Sequence, residues 1–295
     1  MQHMYDIPGE MPPCCVAVGR FDGVHRGHLA LVRQMVEEAR ERDLSPVVVS
    51  LYDPDGSCLT TEREKALLFQ KCGVDTMVSL EMNYLLQAMS PAAFTQLILK
   101  RRINARCAVA GADHADRYPG LETISVPLLD RQGAPLSTGQ LQAAFEATDL
   151  DRYTDLCGRP FLALGTIGHG RQLGRTVGMP TANLVLPRFK RRPAEGVYAT
   201  ISTIGEKVYM GVTNVGRRPT VDNSDAVTVE TNLLDVDQDL YGETELLEFH
   251  LYIRPITKFD TLEQVKAQVD RDLARVKDRL SDIVARRQAV PVLAL

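Results

Sequence analysis

Residues Gly165 to Asn183 read Gly-Thr-Ile-Gly-His-Gly-Arg-Gln-Leu-Gly-Arg-Thr-Val-Gly-Met-Pro-Thr-Ala-Asn, a composition suited to holding phosphate. The glycines (Gly165, Gly168, Gly170, Gly174 and Gly178) let a backbone approach a ligand closely and adopt positive φ. Their N–H groups, with His169, Arg171 and Arg175 among them, match the acceptors of a polyphosphate. After Pro180, Thr181 and Asn183 offer two neutral oxygens at i, i+2. Such a pair suits Mg²⁺, which takes oxygen ligands and shares them with substrate phosphates. The same composition also suits a plain connection between two strands. There is no Gly-Lys-Ser or Gly-Lys-Thr of a P-loop, and no Gly-x-Gly-x-x-Gly between strand and helix.

A second chemical segment runs from Gly19 through Phe21, Asp22 and Gly23 to His25-Arg26-Gly27-His28. It joins an apolar run, Cys14–Val18, to a helical pattern. Ligands in open α/β folds bind at such strand-to-helix junctions. Two histidines at i, i+3 can face a phosphate at a helix N-terminus, where they would stabilise charge building on an α-phosphate and on departing pyrophosphate. A lone histidine is more often structural; His-x-Gly-His at this junction is more specific.

The elements that must position these residues follow two grammars. Over residues 14–157, short apolar runs alternate with helical patterns. The runs are Cys14–Val18, Pro46–Leu51, Met77–Leu80, Ala105–Gly111 and Thr123–Leu129. The helical text covers the stripe Leu29, Val32, Met35, Val36 and Ala39, then Glu62–Lys71, Pro91–Arg102 and most of Leu136–Leu156. That alternation predicts a parallel sheet covered on both faces. From Pro160 the text changes to short strands, at 196–201, 208–212, 227–234 and 246–253, with no helix between them, which predicts an antiparallel barrel. A terminal helix follows. Thr261 and Gln264 form a capping box, and Leu262, Val265, Val269, Leu273, Val276 and Leu280 form an apolar stripe expected to pack on the barrel. The boundary is placed at Gly158-Arg159-Pro160, giving domains 1–157 and 158–295.

Two domains are the expectation for 295 residues. A net charge of −4 and 6% aromatics offer little basic surface or stacking platform for nucleic acid. No apolar run approaches the ~20 residues of a membrane span, and no secretory signal opens the chain. The six cysteines include no Cys-x-x-Cys pair and read as reduced thiols, which implies a cytoplasmic protein.

The His25–His28 segment resembles the nucleotidyltransferase motif of bacterial bifunctional riboflavin kinase/FMN adenylyltransferases (FAD synthetases). The Gly165–Asn183 segment resembles that family's riboflavin kinase signature. Further matches are Leu156–Pro160, Gly196-Val197-Tyr198, Gly211–Thr220, Asp239–Gly242 and the stretch Arg254 to Phe259, so the resemblance spans nearly the whole chain. It implies an α/β nucleotidyltransferase-like (Rossmann-like) N-terminal domain and a C-terminal riboflavin kinase-like antiparallel β-barrel with a terminal helix. It also implies ATP-dependent phosphorylation of riboflavin to FMN, with adenylylation of FMN to FAD by the N-terminal domain.

Carried over by position, Glu230 is the catalytic carboxylate, Thr181 and Asn183 contact Mg²⁺ and ATP, and Gly165–Gly178 covers the ATP. Gly19, Phe21, Asp22 and Gly23 line a second ATP site beside His25 and His28, and Arg254 lies near the flavin. Without the resemblance, Glu230 reads as an outward strand carboxylate and Arg254 as half of a surface ion pair. The N-terminal half departs from the family pattern in three places. Asp53-Pro54-Asp55 replaces a Pro-His-Pro, Gly111-Ala112-Asp113-His114 lacks the usual aromatics, and Gln142 stands where an arginine is usual. A kinase fused to a non-catalytic nucleotide- or flavin-sensing module is therefore the alternative.

Overall fold

Apolar residues that do not alternate with polar ones make strands buried on both faces, and β2 (Cys14–Gly19) shows why. Successive side chains point to opposite faces, so Cys15 and Ala17 enter one core and Cys14 and Val16 the other. The computed structural model describes residues 1–7, 9–168, 181–217, 227–236 and 240–288. By contact the chain falls into two units. One is Met1–Gln142 with Leu156–Gly158 and Phe189–Arg191; the other is Ala143–Asp155 with Arg159–Arg188 and Arg192–Leu295. This grouping differs from the sequence boundary at Gly158 because Phe145 and Tyr153 pack on Phe161, with ring centroids 4.7 and 5.7 Å away.

In the first unit β2 joins β1 (Gln2–Met4), β3 (Ser45–Tyr52), β4 (Thr76–Glu81), β5 (Ala105–Gly111) and β6 (Glu122–Val126). The order is β1-β4-β3-β2-β5-β6, with every pairing parallel. Strand order reverses beside β2, which makes its C-terminal end the expected ligand crevice. Helices α1 (Arg26–Glu41) and α2 (Glu62–Gln70) supply Leu31, Val32, Met35, Val36 and Phe69 to one face of the sheet.

Short helices α3 (Tyr84–Gln87) and α4 (Pro91–Ala93) follow β4, and α4 runs on into a π-helix, Phe94–Arg102. The Ile103 N–H reaches back five residues to the Ile98 carbonyl, so the helical stretch expected from Pro91 is wider-wound than an α-helix. A 3₁₀ turn, Ala112–Arg117, follows β5. The predicted helix 136–156 is two helices, α5 (Thr138–Glu146) and α6 (Leu150–Cys157). Thr148 breaks it with φ +58°, and the Asp149 carboxylate then caps α6 by accepting from the Arg152 N–H at 2.9 Å.

The second unit is a closed antiparallel barrel in the order β10-β11-β8-β7-β12-β9. Its strands are β7 (Phe161–Gly168), β8 (Thr181–Val185), β9 (Gly196–Ile204), β10 (Lys207–Arg217), β11 (Val227–Leu233) and β12 (Thr244–Arg254). Side chains fill its interior. Tyr198 and Phe249 meet edge-on at 5.4 Å, and the hydroxyls of Thr200, Thr213 and Thr231 form a ladder at 2.7 and 2.8 Å. Gly165 belongs to this packing. A Cβ there would lie 2.4 Å from the Val185 carbonyl oxygen, so the glycine permits β7 and β8 to pair.

Helix α7 (Leu262–Gln288) lays Val276, Leu280 and Val284 on Val197, Ala199, Ile201 and Val208. Of the predicted stripe, Val276 and Leu280 are buried, Val269 and Leu273 are half-buried, and Val265 is exposed. Thr261 accepts from the Gln264 N–H at 3.3 Å, but the Gln264 side chain reaches the Asp260 N–H rather than that of Thr261. The capping box is therefore offset by one residue.

Glu245 is wholly buried in the barrel. It accepts from the Ser202 hydroxyl at 2.5 Å, and its Oε2 has no hydrogen-bond partner among the described residues. Burial pushes its pKa up to about 7, against the lowering effect of the Ser202 bond. A carboxyl with a folded-state pKa above its unfolded value contributes most at low pH and loses that contribution as pH rises through the folded value. The loss here is on the order of 3 kcal/mol above neutrality. Glu245→Gln is thus expected to flatten the fall in melting temperature between pH 5 and pH 8. Equal slopes for the two proteins in thermal unfolding would refute this.

Candidate functional site

Antiparallel pairing brings distant residues into one row on the barrel. Gly168 of β7 lies opposite Asn183 of β8, Asn183 opposite Glu230 of β11, and Glu230 opposite Asn214 of β10. Paired residues share a face and alternate along each strand. Because Thr213 and Thr231 are buried while their strand neighbours Asn214 and Glu230 are not, the row lies on the outside of the barrel. Asn232 and Thr181 form the next row on the same face. Glu230 is half-buried and Asn183 is 8% exposed. The structure thus brings Glu230, Asn183, Gly168 and the Thr181 position together, with Thr181 placed by its backbone register alone. His169, Gly170, Gly174, Arg175, Gly178 and Pro180 lie outside the described residues. Gly168 and Thr181 stand in neighbouring rows of this patch by strand register.

Arg254 joins the same belt through Val197, which pairs with both Arg254 and Asn214. It stands three strands from Glu230, about 14 Å along the sheet. Its guanidinium is engaged, with the Asp272 carboxylate of α7 bound at 2.8 and 3.0 Å and the Phe259 ring 5.8 Å away. Asp272 is 2% exposed, so this is a partly buried pair that fastens β12 to α7. Arg254 is thus half of an ion pair with Asp272.

In the first unit, the β2–α1 turn carries the second cluster. His25 caps α1, its Nδ1 accepting from the His28 N–H at 3.2 Å. The two imidazoles stack, with centroids 3.6 Å apart and planes 15° apart. Burial lowers the His25 pKa to about 4. Burial, then the charges of His25 and Lys65, hold His28 well below its ordinary value. Both rings are neutral at pH 7. Since Nδ1 of His25 accepts, its proton sits on Nε2, which leaves an N–H donor at a helix N-terminus. His28 Nδ1 is buried without a hydrogen-bond partner among the described residues.

Two residues expected at the nucleotide also support the turn. The Phe21 ring is 3% exposed and packs edge-on to His28 at 5.3 Å and Phe69 at 5.4 Å, beneath the imidazoles. Asp22 spends one carboxylate oxygen on three backbone N–H groups, those of Leu59 (2.8 Å), Thr60 (3.0 Å) and Gly23 (3.1 Å). Gly23 turns the loop at φ +77°, a conformation that favours glycine. A Cβ there would lie 2.2 Å from Leu141 of α5. The segment containing Gln142 therefore does pack against this turn. Asp53 and Asp55 are exposed, and the Asp53 carboxylate closes its own turn by accepting from the Asp55 N–H.

Sequence reasoning missed the buried charges beside this turn. Glu62, Glu64, Lys65 and Lys190 are each at most 9% exposed. Lys65 pairs with Glu62 at 2.6 Å, and Lys190 with Glu64 at 2.7 Å. Thr61 and Glu64 form a complete capping box, a signal visible in sequence for the start of α2 but silent about burial.

A parallel sheet with paired neutral histidines at its switch point, and a barrel with an outward carboxylate in register with an asparagine and Gly168, define a two-part transferase of phosphate-bearing groups. Family models sharpen this: residues 157–280 match riboflavin kinase and residues 8–124 match FAD synthetase. A bifunctional riboflavin kinase/FMN adenylyltransferase of Escherichia coli strain K12 is 33% identical over 285 residues, covering 88% of this chain and 90% of the relative. Its counterparts from Pseudomonas fluorescens and Bacillus subtilis are 31% and 28% identical, covering 93% and 90% of this chain and 95% and 92% of theirs. The chain belongs to the bifunctional riboflavin kinase/FMN adenylyltransferase family. A crystal structure described as a macrolide-efflux protein from Streptococcus pneumoniae superposes with a TM-score of 0.79 at 29% identity, covering 92% of this chain and 96% of that one. That likeness bears on the fold. Among the described residues, no helix is long and apolar enough to cross a membrane.

Proposed function

We propose that this chain phosphorylates the ribityl 5′-hydroxyl of riboflavin with ATP at the barrel, and adenylylates the resulting FMN at the β2–α1 turn. The observation that carries the reading is the row Gly168–Asn183–Glu230–Asn214. It puts a carboxylate directly across from the strand that ends the glycine-rich segment. Glu230 accepts the hydroxyl proton and aims the oxygen along the line of the γ-phosphorus. Asn183 and Thr181 would hold Mg²⁺, an oxygen-seeking ion that, when bound, screens phosphate charge. Gly165–Gly178 would cover the ATP.

At the other site the Nε2–H of His25 and the ring of His28 stabilise charge on the α-phosphate and departing pyrophosphate. Gly19 and Gly23 let the backbone approach, while Phe21 and Asp22 hold the turn. The functional division runs 1–157 and 158–295, and a cytoplasmic setting fits six cysteines that form no disulfide among the described residues.

Incubation of the purified chain with riboflavin, ATP and Mg²⁺, followed by flavin chromatography, tests both steps. FMN and then FAD are expected. FMN without FAD would point to a non-catalytic N-terminal module, and neither product would sink the reading.

A further inference from the structure

We propose that Lys65 is a positioning residue for adenylyl transfer, its ammonium clamping the Arg20 carbonyl and so fixing the turn that presents His25 and His28. The inference rests on the adenylyltransferase reading of that turn. Lys65 lies in α2 with its side chain 4% exposed. An ammonium has three protons, and all three are placed: on Glu62 Oε1 at 2.6 Å, on the Arg20 carbonyl at 2.5 Å and on Ser50 Oγ at 3.3 Å. No donor is left for a phosphate, so Lys65 acts through the loop rather than on substrate.

The clamp is anchored in the sheet. Ser50 lies in β3, and the second oxygen of Glu62 accepts from the Ser79 hydroxyl of β4 at 2.5 Å. Ser79 Oγ is in turn 2.9 Å from Nε2 of His3 in β1. Three neighbouring strands thus brace one ammonium.

What it braces is strained. Directly after Arg20, Phe21 has φ +47°, and Val24 has φ +44°. Positive φ is uncommon outside glycine and an outlier for a β-branched residue. Such conformations persist only where the surroundings over-determine them. Asp22 holds the turn on one side, through the N–H groups of Leu59 and Thr60. Lys65 holds it on the other. Stability alone does not account for the pair, because a buried Lys–Glu pair is often no better than an apolar one of similar volume. An apolar pair would leave the Arg20 carbonyl unheld.

Lys65→Met alone strands the Glu62 charge, so the informative variant of the full chain is E62Q/K65M. Its FAD-forming kcat is expected to fall about 100-fold, the scale set by a 1 Å misplacement of reacting groups. The KM for ATP and the conversion of riboflavin to FMN should stay near wild type, and the ring ¹H–¹⁵N signals of His25 and His28 should shift. S79A, which removes no charge, should move both readouts the same way by less. Wild-type FAD formation or unmoved ring signals in E62Q/K65M would overturn the proposal. If the wild-type chain forms no FAD, the adenylyltransferase reading fails, and the ring signals alone decide whether Lys65 positions the turn.

Discussion

Glu230→Gln is expected to cut FMN formation by about 10²–10⁴-fold while leaving riboflavin and ATP binding within a few-fold of wild type, the range lost with a general base. Glutamine keeps the size of the side chain and its hydrogen-bonding reach but cannot take the hydroxyl proton. The position makes the test clean. Glu230 lies on the outer face of a barrel whose interior is filled independently by Tyr198, Phe249 and the threonine ladder. A change on that face leaves the core untouched, and β11 keeps its backbone pairing to β8 and β10. The measurement is kcat and KM for FMN formation, with conversion of supplied FMN to FAD as a control in the same preparation. Near-normal FMN turnover would remove Glu230 from the mechanism and return it to the status of a strand carboxylate.

His28→Ala should reduce FAD formation by about 10²–10³-fold, the usual cost of deleting one donor to developing charge. His28 is the better probe of the pair. The cap of α1 runs from the His28 backbone N–H to the His25 ring, and alanine preserves it. His25→Ala would remove the cap as well, costing roughly 1 kcal/mol of helix stability and blurring the result. Because His28 leans on Phe21 and stacks on His25, its loss leaves a gap above the Phe21 ring without unpairing a buried charge. Phosphorylation of riboflavin should be unchanged. FAD formation at the wild-type rate in His28→Ala would leave the histidine pair as a structural stack.

Much of this architecture was legible in sequence because it is written locally. Cys14–Val18 is an unbroken apolar run and Pro46–Leu51 is interrupted only by Ser50, and such runs identify strands covered on both faces. The stripe Val32, Met35, Val36, Ala39 has one helical period, and all four residues are buried. Other features escaped for equally physical reasons. β1 has three residues, too few to show any period. β7 and β8 flank a glycine-rich segment whose composition masks the strands on either side. Thr148 breaks a helix through a backbone angle that threonine does not announce. Val265 belongs to the apolar stripe of α7 in sequence but is exposed, because periodicity does not say how far along the helix the barrel reaches.

By itself the sequence determined which residue types exist for chemistry: two histidines at helical spacing after a strand, glycines and arginines before Thr181 and Asn183, and a carboxylate in a short strand. Residue type and short-range periodicity are local properties, set by side-chain chemistry and backbone geometry. Tertiary structure alone decided which of them meet. Glu230 and Asn183 are neighbours only through the β8–β11 register. Phe21 and Asp22 are supports because Phe69, Leu59 and Thr60 lie where long-range folding puts them. Lys65 reaches the Arg20 carbonyl across a buried pocket of charge that no local pattern encodes. Burial and register depend on pairings between distant segments, so the fold had to be seen before the sites could be assembled.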